Sequence, residues 1–105
     1  MRRRRTAMTK TLPPVTPGEI LREEFMIPLG LSANRLANHL GVPTNRITAI
    51  LNGTRSVTAD TALLFAKGFN TSPEFWLNLQ SLHDLEVARR QTAKTVSRVK
   101  SLVAA

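Results

Sequence analysis

Apolar residues recur at intervals of three and four along the middle of the chain, and no segment of useful length alternates between apolar and polar positions. This spacing is typical of helices that bury one face, whereas half-buried strands need a period of two. Short stretches that contain Gly, Pro, Asn and Ser separate the apolar segments and indicate turns. The pattern therefore predicts an all-α fold, a compact bundle of five short helices.

Capping residues mark where the predicted helices begin. Thr16 followed by Pro17 and Glu19 is typical of a helix start. This first helix should end before Pro28, because proline disfavours helical backbone in the residue before it. Four further helices are predicted at 33–40, 44–51, 59–69 and from 73 onward. The residues expected to face the core in the first four helices are Ile20, Leu21, Phe25, Leu36, Ala37, Leu40, Ile47, Ile50, Leu51, Ala62, Leu63, Ala66 and Phe69.

Length and composition exclude several classes of protein. The chain has 105 residues, which is enough for one domain with a modest core. It contains no cysteine, which excludes disulfide bridges, thiolate nucleophiles and zinc sites with sulfur ligands. No apolar run approaches the ~18 residues that a membrane span needs, and no apolar segment follows the basic N-terminus as a secretory signal requires. We therefore expect a cytoplasmic protein with no membrane partner.

The net charge of +8 indicates an anionic partner, which is nucleic acid, an anionic membrane surface or an acidic protein. The charge is unevenly distributed, because residues 1–16 and 87–105 each carry five basic side chains and no acidic one. Residues 17–86 carry the other five basic side chains and all seven acidic ones. The middle is thus slightly acidic, and nucleic-acid binding there must depend on where individual charges lie.

The same division predicts three segments. Residues 1–15 form a basic tail that is poor in apolar residues and is expected to be disordered. Residues 16–88 form the folded domain, and residues 89–105 form a basic extension that is either helical or frayed. The N-terminal tail is either an arm that seeks DNA or a solvated extension, and Met8 would itself be a sensible first residue.

Two short helices joined by a tight turn, over residues 32–53, are typical of a helix-turn-helix. Ala37 is small where the second helix must pack closely, and Gly41 lies in the turn. Ile47 is expected to point back into the angle between the helices. An ordinary helical hairpin in a small bundle would need similar apolar spacing, but the joint placement of these three residues favours the helix-turn-helix.

The outward face of the third helix has the composition that base recognition requires. Asn and Arg pair with adenine and guanine edges, Thr bonds a base or packs on a thymine methyl, and a small residue permits close approach. A merely solvated face would more often carry Glu and Lys, yet no acidic residue occurs between positions 44 and 55. The candidates for reading DNA bases are Thr44, Asn45, Arg46, Thr48 and Ala49.

Polar residues on either side of this helix are candidates for contacts with DNA phosphates. One group begins the second helix, whose N-terminus favours an anion. Another group follows the third helix. The alternative for the two arginines is that they are ordinary surface charges. The phosphate candidates are Ser32, Asn34, Arg35, Asn52 and Arg55.

The fifth helix carries the only tryptophan, Trp76, at the edge of an apolar stripe. Tryptophan is enriched at protein interfaces, so one interpretation is an interface anchor. The other is a core residue whose indole N–H finds a nearby acceptor. Helical spacing favours a position that is partly core and partly interface. The stripe, which is more often core than docking surface, consists of Phe75, Leu79, Leu82 and, at its end, Leu85.

Nothing in the sequence indicates catalysis or a metal site. His39 and His83 are isolated and lack a partner at metal-ligand spacing. Adjacent helical residues do not face each other, so His83 and Asp84 do not form a catalytic pair. No nucleophile elbow or phosphate-binding glycine loop is present. We therefore expect no enzyme, no metal and no cofactor.

Five short motifs stand out by their order and spacing: PGEILREEF at 17–25, LGLS at 29–32, ILNG at 50–53, TADTAL at 58–63 and SPEFWLNLQ at 72–80. Together they resemble the HigA antitoxin family, also labelled VapI-like, of the phage-repressor helix-turn-helix class. The resemblance extends over roughly residues 13–88. It includes neither the N-terminal arginines nor the far C-terminal extension.

The resemblance implies the antitoxin of a type II toxin–antitoxin module, which neutralises a cognate HigB-type mRNA-interferase toxin. It also implies a homodimer that represses its own operon by binding operator DNA, with a lambda repressor-like domain. In such proteins the third helix reads the DNA groove, here the five base-reading candidates, and Ser32, Arg35 and Asn52 match phosphate contacts. The candidates for a dimer or toxin interface become Trp76, Leu82 and Leu85.

Pro43 departs from the wider helix-turn-helix class, in which Ser or Thr often caps the recognition helix. Proline offers no side-chain cap, so the sequence leaves open where the third helix begins and how Thr44 is directed. Two other functions also stay open: a stand-alone repressor without a toxin, and a basic adaptor that binds RNA or membrane. The adaptor ranks last, because the C-terminal extension has no aromatic residue for membrane insertion.

Overall fold

The computed structural model describes residues 15–104. In this range the chain forms five helices and no strand, which confirms the all-α prediction. The predicted N-terminal tail, apart from Val15, lies outside the described residues. The helices are α1 at 17–29, α2 at Ala33–Leu40, α3 at Thr44–Leu51, α4 at Ala59–Phe69 and α5 at Pro73–Ser97.

Helix α1 begins as its sequence predicts. The Thr16 hydroxyl accepts the Glu19 N–H at 3.1 Å, and the Glu19 carboxylate accepts the Thr16 N–H at 2.9 Å. This reciprocal capping box satisfies two backbone donors that the first turn would otherwise leave unpaired. Gly18 lies in the same turn and is buried against the backbone of α3 at Ile50. The start of α1 therefore packs directly on the second helix of the candidate DNA-binding motif.

The end of α1 differs from the prediction, since the helix continues through Pro28. The segment Leu21–Met26 is a π-helix, and it is followed by an N–H of Ile27 that donates to the Arg22 carbonyl five residues back. The wider π-turn moves the preceding carbonyls from their α-helical positions, which relieves the clash that proline makes inside a helix. Gly30, with a φ of 64°, then closes the helix in the left-handed conformation.

Helix α5 has 25 residues and includes the first part of the basic extension. Its backbone leaves helical geometry at Thr92, where φ is −117° and ψ is 18°. The Thr92 hydroxyl donates to the Ala88 carbonyl at 2.7 Å. Residues 88–104 are all exposed. Of the two alternatives for the extension, the structure therefore has a helix as far as Ser97.

An aromatic cluster fills the core between α1, α4 and α5. Trp76 is completely buried, and its ring centre lies 4.9 Å from that of Phe65 and 5.1 Å from that of Phe25. Phe69 and Phe75 complete the cluster, with ring centres 6.1 Å and 5.0 Å from Trp76. The apolar positions of α2 and α3 join the same core through Leu36, Ala37, Ile47 and Ile50.

Three positions that the apolar pattern assigned to the core are exposed in the structure: Leu63, Leu82 and Leu85. Leu63 is 60% exposed, and Phe65, which the sequence pattern did not select, is fully buried. The buried row of α4 contains Ala62, Phe65 and Ala66, spaced three and four apart, and Leu63 falls beside that row. Leu82 is 65% exposed, because it lies about 120° around α5 from the buried Trp76.

Candidate nucleic-acid interface

Helices α2 and α3 form the helix-turn-helix that the sequence predicts. Gly41 ends α2 with a φ of 77°, and the N–H of Gly41 and that of Val42 both donate to the Ala37 carbonyl. Ala37 and Ile47 are both fully buried. A small residue on α2 and a branched one on α3 thus fill the angle between the helices and fix their crossing.

The face of α3 opposite the core carries two amides and a methyl group. Ile47 and Ile50 point into the core, and successive residues of an α-helix rotate by about 100°. Asn45, Ala49 and Asn52 therefore lie on the opposite side, with both asparagines exposed and Ala49 half-buried. The half-buried Thr48 lies beside this face, and its hydroxyl donates to the Asn45 carbonyl at 3.3 Å. The exposed amides have the donors and acceptors that adenine recognition uses.

The start of α3 is set without a side-chain cap. Pro43 has an extended ψ of 145° and no side-chain hydrogen bond, and its carbonyl accepts the Arg46 N–H at 3.0 Å. The Thr44 hydroxyl instead donates to Asn34 Oδ1 on α2 at 2.9 Å. This bond directs Thr44 toward α2 and leaves the amide nitrogen of Asn34 with two free donors. The first predicted base-reading residue thus contacts a predicted phosphate-binding residue.

Arg46 lies at the other edge of the α3 face and is paired with an acidic residue. Its Nη1 is 3.8 Å from Asp60 Oδ2, and its side chain is only 25% exposed. The Thr58 hydroxyl donates to the same carboxyl group. This hydrogen bond is the main cause that lowers the pKa of Asp60 below its ordinary value, and a backbone bond from Thr61 and the charge of Arg46 act in the same direction. Asp60 is therefore ionised at neutral pH.

Asp60 belongs to this surface, although no pattern in the sequence predicted it there. No acidic residue occurs between positions 44 and 55. The turn after α3 brings the start of α4 back to the edge of that helix, so an acid 14 positions away from Arg46 reaches its guanidinium. A Thr-x-Asp pattern at the start of α4 was visible in the sequence, but it indicates a helix cap equally well.

The predicted phosphate contacts are all exposed. The Ser32 oxygen accepts the Arg35 N–H at 3.1 Å, which leaves the hydroxyl proton free to donate. Asn52 caps α3 at its C-terminal end, and Arg55 follows in the next turn. Gln80 of α5 supports that turn, because its Oε1 accepts the Val57 N–H at 2.7 Å. The donors therefore lie at both ends of the α2–α3 pair.

The interface assignment of Trp76 needs correction. Its side chain has no exposed surface, and its Nε1–H donates to Thr71 Oγ1 at 2.8 Å. A tryptophan that is buried on all sides and satisfied within its own chain cannot contact a partner. Leu82 and Leu85, the other two candidates, are 65% and 48% exposed. They lie three residues apart and so share one face of α5.

Comparison with known proteins agrees with this geometry. Residues 21–76 match the helix-turn-helix protein family, a span that includes every predicted DNA contact. Virulence-associated protein I of Dichelobacter nodosus is 46% identical over 79 residues, which cover 75% of this chain and 73% of that protein. The structure of an addiction module antidote protein of the HigA family from Coxiella burnetii is 52% identical, with a TM-score of 0.81 over 88% of this chain and 100% of that one.

The chain belongs to the HigA antitoxin family. A structure of the Pseudomonas aeruginosa antitoxin HigA with the higBA promoter is 35% identical and has a TM-score of 0.82 over 86% of this chain and 99% of that one. HigA proteins of this helix-turn-helix kind are DNA-binding regulators and not enzymes, as the sequence predicted. Membership confirms the predicted function of antitoxin and helix-turn-helix regulator. Within residues 15–104, no helix is both long and apolar enough to cross a membrane.

Proposed function

We propose that this HigA-family chain binds the operator DNA of its own operon as a homodimer and neutralises a HigB-type toxin. The observation that carries the DNA-binding part is the exposed α3 face. Two asparagine amides flank Ala49 there, and the acidic side chain of Asp60 lies at the edge of this face. Related antitoxins with the same fold have been solved with promoter or operator DNA. Since operator DNA is the target, this function requires a cytoplasmic location.

The two helices have different tasks in this proposal. Helix α3 enters the major groove and presents Asn45, Thr48 and Ala49 to base edges. Helix α2 contacts the phosphate backbone through its N-terminal end, where the Ser32 hydroxyl, the Asn34 amide and the Arg35 guanidinium are available as donors. Phosphate contacts fix the orientation of the protein on the duplex, whereas base contacts supply the sequence preference.

A footprint on the DNA upstream of the chain's own reading frame tests the proposal. A dimer that reads DNA with two α3 helices should protect two half-sites about one helical turn apart, ~34 Å, or a multiple of that spacing. Protection of a single unpaired half-site would contradict the dimeric mode. An affinity for this fragment equal to that for unrelated DNA would contradict specific operator binding.

Replacing Asn45 with alanine is expected to weaken operator binding by ~5- to 150-fold, about 1–3 kcal/mol, because a bidentate amide contact to a base is lost. Binding to unrelated DNA should change little, since phosphate contacts are retained. Asn78→Ala removes an exposed asparagine from α5 and is the matched control. Fluorescence anisotropy with labelled operator measures the affinity of each variant. Equal affinities for the two variants would remove Asn45 from the set of base-reading residues.

For self-association, we assign the apolar face of α5 that carries Leu82 and Leu85. Both are large apolar side chains on one helix face, and the aromatic core does not cover them. A pair of such helices around a two-fold axis would bury both leucines of each copy. Leu82→Glu should therefore raise the dimer dissociation constant by ~10- to 100-fold, since burial of a leucine contributes about 1.5–3 kcal/mol.

Sedimentation velocity measures this shift from dimer to monomer. Leu102→Glu is the control, because Leu102 is fully exposed beyond the end of α5. The control variant should remain dimeric and bind operator normally. A Leu82→Glu protein that still sediments as a dimer would contradict the assigned face. If the unmodified protein is a monomer at every concentration, the homodimer itself is wrong.

Toxin neutralisation is tested through the neighbouring reading frame. The product of that frame should arrest growth when expressed alone, and co-expression of this chain should restore growth. The two proteins should also co-purify. A chain that binds its operator but restores no growth would be a stand-alone repressor, the alternative that the sequence left open.

A further inference from the structure

Asp60 is an acidic side chain at the edge of a surface that is proposed to bind a polyanion. The carboxylate carries its charge at neutral pH, so it repels nearby phosphates. It is held by the Thr58 hydroxyl on one side and paired with Arg46 on the other. An exposed ion pair of this kind contributes little to stability. Its position therefore requires an explanation in terms of what the guanidinium does.

The side chain of Arg46 does not extend freely into solvent. It is 25% exposed, whereas that of Asp60 is 69% exposed, so the carboxylate lies on the outside and the arginine lies along the protein surface. Residue 46 lies about 40° around α3 from the buried Ile50, on the flank that faces the start of α4. A free arginine would sample many rotamers from this flank, and pairing with Asp60 reduces their number.

We propose that Asp60 is a positioning residue that holds the guanidinium of Arg46 at the edge of α3 for selective recognition of a guanine base. The proposal rests on the proposed operator binding through α3. A guanidinium has five N–H donors in a planar fork, so pairing with one carboxylate leaves other donors free. Two of them match the O6 and N7 acceptors of guanine in the major groove.

Pairing also disfavours contacts without sequence information. Arg46 would otherwise be free to follow the DNA backbone and bind phosphates, which adds affinity for every sequence alike. With Asp60 beside it, the same guanidinium has less net attraction for a phosphate and fewer rotamers to sample. The expected result is better discrimination between operator and unrelated DNA, at some cost in total affinity.

The test compares Asp60→Asn, Arg46→Ala and the double variant on the DNA fragment upstream of the reading frame. Each protein is also measured on versions of that fragment with one base pair replaced and on unrelated duplex. Asparagine keeps the size of the side chain and removes its charge. Glu24→Gln removes one exposed acidic charge from α1 and is the control for net charge. Thermal unfolding of every variant confirms that the domain is folded.

Asp60→Asn is expected to raise affinity for unrelated duplex and to reduce discrimination at one base pair by ~5-fold or more. Arg46→Ala should abolish discrimination at the same base pair. In the double variant, the loss of discrimination should equal that of Arg46→Ala alone, because Asp60 acts through the arginine. Glu24→Gln should retain the full discrimination. A purely structural role for the pair would instead change the unfolding temperature and leave base preference unaltered.

The measurements distinguish a failure of the positioning role from a failure of operator binding. Unaltered discrimination in Asp60→Asn, together with a loss in Arg46→Ala, would overturn the positioning role and leave operator binding intact. Where Arg46→Ala leaves part of the discrimination, a further loss of discrimination in the double variant would overturn the positioning role as well, because Asp60 would then act independently of Arg46. Full discrimination in Arg46→Ala would exclude both residues from base recognition. If the unmodified protein shows no preference for the upstream fragment, the proposed function itself fails.

Discussion

Replacing Trp76 with alanine is expected to lower the free energy of unfolding by about 3–5 kcal/mol, the range found for large aromatic residues in cores. The indole ring has no exposed surface, and its centre lies within 5.1 Å of the ring centres of Phe25, Phe65 and Phe75. Alanine would leave a cavity among α1, α4 and α5 and would remove the donor that pairs with Thr71. Urea unfolding followed by circular dichroism measures the loss.

Trp76→Phe is the matched variant, because it keeps an aromatic ring and removes only the indole N–H and part of the volume. The free energy of unfolding should fall clearly less in Trp76→Phe than in Trp76→Ala. Measurement at two protein concentrations separates the two interpretations of this residue. A core role predicts the same loss at both concentrations, whereas an interface role predicts a loss that depends on concentration. A change of less than about 1 kcal/mol in Trp76→Ala would contradict the buried position.

Replacing Gly18 with alanine is expected to lower the free energy of unfolding by about 3 kcal/mol, at the upper end of the effect of overpacking. A Cβ atom at this position would lie 2.2 Å from the Ile50 carbonyl oxygen and 2.9 Å from the Leu51 Cα. Both obstacles are backbone atoms of the recognition helix, so no side-chain rotation relieves the clash. Helices α1 and α3 must separate, and the unfolding temperature should fall by about 12 °C or more.

Gly68→Ala is the control for this substitution. A Cβ atom there would approach Leu40 Cδ2 at 2.9 Å, which is the end of a flexible side chain. Alanine also favours the α4 helix over glycine by about 1 kcal/mol, which offsets the cost of moving Leu40. The unfolding temperature should therefore change little. Similar destabilisation by both substitutions would indicate that close contact with the α3 backbone is not the cause.

Local signals in the sequence predicted most of the fold correctly. The capping box at Thr16, the serine cap at Ser32 and the glycine at Gly41 act within one helical turn, so the residues themselves specify the boundaries. The spacing of Ala37 and Ile47 likewise indicated the packed angle of the helix-turn-helix. The failures come from effects that local patterns omit. A π-turn carried α1 through Pro28, and the phase of α4 against its neighbours exposed Leu63 and buried Phe65.

The sequence by itself determined the class of fold, the helix-turn-helix and which residue types face outward from α3. These properties follow from helical periodicity and capping, which operate between residues four or fewer positions apart. Only the tertiary structure decided which side chains pair with one another in the candidate interface and in the core. Thr44 bonds Asn34 across the turn, Arg46 pairs with Asp60 on α4, and Trp76 is enclosed by aromatic rings from three helices. Each of these contacts depends on how separate helices pack together, and periodicity within one helix carries no information about that packing.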